Sequence, residues 1–139
     1  MIEKNCFGNG KYCSHETNHA LLSGREIIME DLRQICLYNS FYNHASKRNM
    51  WWEYIKNVHE QCYGNVNEDC SRLAHKDLSI SYELTEQCVK SSFRLPNGET
   101  PALNAKNQDS LLINDLIDKE LSYLIWEATQ KNNPHFVAI

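Results

Sequence analysis

The chain has 139 residues, 42% of them hydrophobic and 23% charged, and a formal net charge of −4. That is one domain's worth of chain, long enough to bury a core without depending on crosslinks. Its ordinary composition excludes a disordered tail, and its weak acidity leaves no electrostatic basis for gripping nucleic acid or an anionic membrane.

Taken in chain order, residues 1–24 read as a cysteine-bearing loop, with Gly8, Gly10, Gly24, Asn5, Asn9 and Asn18 supplying turn chemistry. Residues 25–43 read as a helix. Ser23 and Glu26 form a capping-box pattern, and Ile28, Leu32, Ile35 and Cys36 share one apolar face. Residues 50–62 read as a second helix with Trp51, Ile55, Val58 and Cys62 on its stripe. The Trp51-Trp52 pair reads as core plus one partly exposed ring, in preference to a ligand-stacking platform.

Tyr63, Gly64 and Asn65 make a turn, and residues 67–76 a short third helix containing Cys70. Ser81 caps a fourth helix running through Cys88. Residues 91–107, around Pro96, Gly98 and Pro101, read as irregular. Residues 108–129 read as a longer helix, with Ile113, Leu116, Ile117, Leu121 and Leu124 on one broad face. Residues 134–139 are the one clear strand.

Six cysteines stand out: Cys6, Cys13, Cys36, Cys62, Cys70 and Cys88. An even count suggests disulfides and an oxidising compartment. The first residues show no signal-peptide pattern, and no apolar run approaches the roughly 20 residues of a membrane span. The expectation is a piece of a longer secreted or membrane-anchored chain, since a terminal strand needs a partner.

Metal and catalytic chemistry find little support. His15 and His19 have an H-x3-H spacing, but no C-x2-C or C-x4-C pair completes a zinc set, so both read as solvated loop histidines. Thiol redox chemistry usually needs a C-x-x-C pair, which is absent. No serine-hydrolase or P-loop motif occurs, and no local signature pairs a cysteine with a histidine. Glu30-Asp31 and Glu68-Asp69 read as solvated helix surface or first-turn complement to the helix dipole. No catalytic residue, metal or cofactor is expected.

A family resemblance runs through the cysteines. The C-x6-C loop from Cys6 to Tyr12-Cys13 resembles that of the plant-type vacuolar sorting receptors. Asp31-Leu32-Arg33-Gln34-Ile35-Cys36 resembles the family's N-L-R-Q-x-C helix, and Trp51-Trp52-Glu53-Tyr54-Ile55 its W-W-D-Y-V helix. Cys62, Cys70 and Cys88 fall at family cysteine positions, and Pro134-His135-Phe136-Val137 resembles a family strand. The match spans roughly residues 6–90 and the end; residues 91–133 depart from it.

The resemblance implies an α-rich α/β chain: a partial thioredoxin-like fold with a helical, disulfide-linked insertion and few strands. It implies one incomplete domain, divided into the cysteine loop 1–24, the linked helices 25–90, a loop and long helix 91–133, and the strand 134–139. Pro134 would be the fold-marker proline, where such folds place a cis bond. The implied function is a non-catalytic lumenal module, part of a single-span membrane protein of the Golgi, pre-vacuolar compartment or vacuole. Its implied partners are soluble cargo proteins or neighbouring receptor domains, with no nucleic acid, and membrane contact only through other parts. A more distant likeness, to lysosomal thiol reductases, offers the alternative of an oxidoreductase relative without its C-x-x-C.

All six cysteines are expected in structural disulfides. The expected pairs are Cys6–Cys13 as a local loop, Cys36–Cys62 because both lie on buried stripes, and Cys70–Cys88 between the third and fourth helices.

Overall fold

A computed structural model describes residues 5–7, 12–14, 23–42, 44–94 and 112–113. Four helices dominate it: α1 (Gly24–Leu37), α2 (Arg48–Gln61), α3 (Glu68–Asp77) and α4 (Tyr82–Ser92). Four two-residue strands accompany them: β1 (Cys6–Phe7), β2 (Tyr12–Cys13), β3 (Phe93–Arg94) and β4 (Leu112–Ile113). Both strand pairs, β1–β2 and β3–β4, are antiparallel.

The caps explain where the helices start. The Ser23, Asn67 and Ser81 side chains accept hydrogen bonds from the backbone N–H groups of Glu26, Cys70 and Leu84 respectively. Only α2 begins without a side-chain cap, at Lys47. The first helix does not stop at Leu37; it widens into a π-helical turn, Tyr38–Tyr42. Gly64, at φ 76°, lets the chain reverse between α2 and α3. Helix α4 runs past Cys88 to Ser92, where the Ser91 and Ser92 hydroxyls both donate to the Cys88 carbonyl.

Three expectations are corrected. The loop 1–24 contains the β1–β2 hairpin, with Phe7 and Tyr12 buried beside the disulfide-linked Cys6. The stretch 91–107, expected to be irregular, starts with the last two residues of α4 and continues into β3, and Leu112–Ile113, expected in a helix, forms the partner of β3. Short apolar runs carry no periodicity that separates strand from helix, and pairing across many residues decides. Gly24, expected to supply turn chemistry, is the first residue of α1. Asn5 packs so closely there that a Cβ on Gly24 would fall 2.7 Å from the Asn5 Cβ. Pro134, the strand 134–139 and most of the helix 108–129 lie outside the described residues.

The core forms on two sides of α1. On one side Ile28, Leu32 and Cys36 pack with Phe7, Tyr12, Val89 and Phe93, from the hairpin and the end of α4. On the other, Ile27 and Leu37 pack with Tyr54, Ile55 and Val58 of α2 and Ala74 of α3. Among the described residues no helix is long and apolar enough to cross a membrane.

Candidate functional site: a disulfide frame around a buried polar network

The structure pairs Cys6 with Cys13, Cys36 with Cys88, and Cys62 with Cys70. The expected Cys36–Cys62 and Cys70–Cys88 bonds are therefore corrected. An inward stripe reveals depth but not direction. Cys36 lies on the face of α1 turned toward α4, whereas Cys62 belongs to the cluster on the opposite face. Cys62 also closes α2 eight residues before Cys70 in the first turn of α3, and the turn at Gly64 brings the two together. The Cys36–Cys88 bond spans 52 residues and ties α1 to α4.

Between α1, α2 and α3 lies a polar network that the sequence did not flag. Glu30 and Asp31, expected on solvated surface, are both 0% exposed. Glu30 stands three residues after Ile27 and seven before Leu37, on the α2-facing side of α1. Its carboxylate accepts from Arg33 Nε at 2.8 Å, from Gln34 Nε2 at 2.9 Å and from the Tyr54 hydroxyl at 3.0 Å. The Tyr54 oxygen also lies 2.7 Å from Ser71 Oγ. Because Tyr54 donates to the carboxylate, Ser71 is the donor in that last bond.

His75 extends the network to α4. Its Nδ1 donates to the Ser71 carbonyl at 2.7 Å, which leaves Nε2 to accept from the Thr85 hydroxyl at 3.0 Å. Burial pushes the His75 pKa down, and the Ser71 carbonyl and Glu30 only partly oppose this. Burial and then the nearby Glu30 push Tyr54 well up. Burial by itself would lower Arg33, but the charge and hydrogen bond of Glu30, together with Tyr54 and Tyr82, outweigh it and raise the guanidinium. The Arg33 charge is thereby held in place although one of its terminal nitrogens, Nη2, has no hydrogen-bond partner.

Asp31 differs from its neighbour. Neither of its carboxyl oxygens has a hydrogen-bond partner, and burial, reinforced by Glu30, holds its pKa well above the carboxylate range.

A serine, a histidine and a glutamate in one cluster invite a catalytic reading, which the geometry rejects. Ser71 Oγ is 3.5 Å from His75 Nδ1, and that nitrogen carries its proton to a carbonyl and cannot take one from the serine. Ser71 and His75 are each 1% exposed, which leaves no approach for a substrate. What the arrangement can do is clamp four helices through the hydrogen bonds that Glu30, Tyr54, Ser71, His75 and Thr85 make between them. Its signals were the Ile27, Glu30, Gln34 spacing and the Ser71, His75 spacing; buried polar residues at helical intervals look like surface until a partner helix covers them.

Among the described residues no group of three or more histidine, cysteine or acidic side chains could hold a metal ion. His44 and His59 are exposed, and His15, His19 and His135 lie outside the described residues. Trp51 is half-buried, with its indole N–H donating to the Gln34 carbonyl, and Trp52 is 53% exposed.

No curated protein and no solved structure shows a significant match to the chain. A family model does, described as the vacuolar sorting receptor thioredoxin-like domain, over residues 1–118. The match takes in all six cysteines and extends beyond residue 90, through the stretch 91–118 that had looked divergent; Pro134 lies outside it. The predominantly helical architecture and its three disulfides accord with that assignment. On this coverage the chain belongs to the vacuolar sorting receptor thioredoxin-like domain family.

Proposed function

We propose that the chain is a non-catalytic lumenal module of a vacuolar-sorting-receptor-like protein, contributing to the binding or sorting of soluble cargo bound for the vacuole. Its setting is the secretory pathway, as part of a single-span membrane protein, and its partners are cargo proteins or neighbouring receptor domains. The observation that carries this reading is the state of the cysteines. All six are paired, and no two stand in the C-x-x-C spacing that thiol exchange uses.

Two measurements test it. Thiol titration of the native full chain is expected to find no free thiol, and an insulin-reduction assay no turnover; a reactive thiol with turnover would establish an oxidoreductase instead. Disruption of the gene is expected to divert a soluble vacuolar reporter to secretion, with rescue by the wild-type gene. Normal delivery of the reporter would remove the sorting role.

A further inference from the structure

Outside the buried network the surface carries a run of four aromatic rings. Tyr38 and Tyr42 stack with 4.5 Å between ring centres, and both stand edge-on to Trp51, at 5.2 Å and 6.0 Å. Trp51 in turn meets Trp52 edge-on at 4.8 Å. Tyr38 is 38% exposed and Trp52 53%. Tyrosine and tryptophan grouped in this way, apolar in body and polar at the tip, are the side chains of interaction surfaces. The backbone is shaped to group them. A π-helical turn is rare and is frequently found at functional sites. Here it aligns Tyr38 with Tyr42, while none of its five residues is buried and only Phe41 packs against the core. The rings are also held in place. The Trp51 indole N–H donates to the Gln34 carbonyl at 3.1 Å, and the Arg48 guanidinium lies 4.7 Å from the centre of the Tyr42 ring. Such a platform gives up little freedom when a ligand lands on it.

The polar edge of the platform is rich in donors. Among the described residues the Trp52 indole N–H and the Tyr38 and Tyr42 hydroxyls make no hydrogen bond. Arg48 and Lys56 stand four residues before and after Trp52, on its side of α2. Of the other two residues one turn from Trp52, Ile55 is buried and Asn49 adds an amide. The nearest carboxylate in sequence, Glu53, is turned about 100° further round the helix. The two cations disfavour an ammonium ligand, the usual guest of an aromatic cage. A sugar, whose every hydroxyl donates as well as accepts, finds few acceptors there. A proline-rich segment in the polyproline II conformation has the complementary set. Its carbonyls are exposed and accept, its prolines have no N–H to satisfy, and its rings pack on aromatic side chains.

We propose that the platform of Tyr38, Tyr42, Trp51 and Trp52 binds a proline-rich protein segment in the polyproline II conformation. Proline rings lie against Tyr38 and Trp52, the two exposed rings that both touch Trp51. The Trp52 indole N–H, the tyrosine hydroxyls and the Arg48 guanidinium donate to carbonyls of the segment. Its preformed conformation keeps the ordering cost low. The inference rests on the reading of the module as a binding unit and names the chemistry of its partner.

Fluorescence anisotropy of a labelled decaproline peptide, titrated with the full chain, tests it. Saturable binding is expected, with a glycine–serine decapeptide bound at least tenfold more weakly. Trp52→Ala is expected to weaken decaproline binding at least tenfold, as loss of an anchoring tryptophan does. Tyr38→Phe with Tyr42→Phe keeps the rings, removes the hydroxyls and is expected to weaken binding several-fold. Trp52 is exposed, and the helical circular-dichroism spectrum shows that each variant is folded. Equal binding of the two peptides, or unchanged affinity in Trp52→Ala, overturns the proposal. So does binding of a mannose oligosaccharide instead of decaproline that is lost in Trp52→Ala, which would assign the platform to a glycan. Concentration-dependent dimerisation abolished by Trp52→Ala would likewise overturn it and assign the platform to a second copy. Failure of decaproline to bind while gene disruption still diverts the reporter overturns the platform alone and leaves the sorting role standing.

Discussion

The two sides of α1 hold the same helix by different means. The side facing the hairpin and α4 is dry: Ile28, Leu32 and Cys36 meet apolar residues, and a disulfide across 52 residues secures the contact. The side facing α2 and α3 buries an ion pair, a tyrosine hydroxyl and a histidine, while its own disulfide spans only eight residues. The dry side depends on area and on restricting the unfolded chain, so it tolerates imperfect geometry. The wet side depends on every partner being present, because one missing group leaves a buried charge alone.

The largest expected effect breaks the wet side. Glu30→Ala leaves Arg33 buried without its carboxylate and removes an acceptor from Gln34 and Tyr54. A loss of about 3–5 kcal/mol is expected, read from the urea midpoint. If the loss is under about 1 kcal/mol, the network is not the clamp described.

Breaking the dry side is expected to cost about 4 kcal/mol, the loop-entropy value for Cys36→Ser with Cys88→Ser, against about 2.5 kcal/mol for Cys62→Ser with Cys70→Ser. Guanidinium unfolding of the two double variants compares them directly. Equal losses would mean that the long crosslink adds nothing beyond local packing.

Asp31 sharpens the contrast, as the one buried acid on α1 without a partner. Folding raises its pKa, so the folded chain holds the proton more tightly. Its contribution to stability is full below the unfolded value of about 3.9 and is lost as pH rises through the folded value. Asp31→Asn is therefore expected to stabilise the chain at pH 7, with the gain fading toward pH 3. A variant no more stable than its parent at pH 7 would contradict this.

His75 gives the smallest effect and the opposite sign. Its pKa is lowered by folding, so the stability it contributes is present above about pH 6.5 and lost as pH falls. His75→Gln is expected to flatten the decline between pH 7 and pH 5, measured as the change in slope relative to the parent.

Much of the helical part was legible in advance. Ser23 and Ser81 announced their helices through side chains that compete for backbone N–H groups, and the spacing from Ile28 to Cys36 announced an inward face. The buried network was not legible, because Glu30 and His75 look like surface residues until α2 and α4 cover them. The hairpin and β3–β4 were equally hidden, since two-residue strands exist only through their partners.

By itself the sequence determined the four described helices, their apolar stripes and the family, because caps, periodicity and cysteine spacing are local properties of the chain. Only the tertiary structure decided how Cys36, Cys62, Cys70 and Cys88 pair and which acid is buried. Those depend on the direction each face of α1 points and on the element packed against it, and neither is encoded in spacing along a single helix.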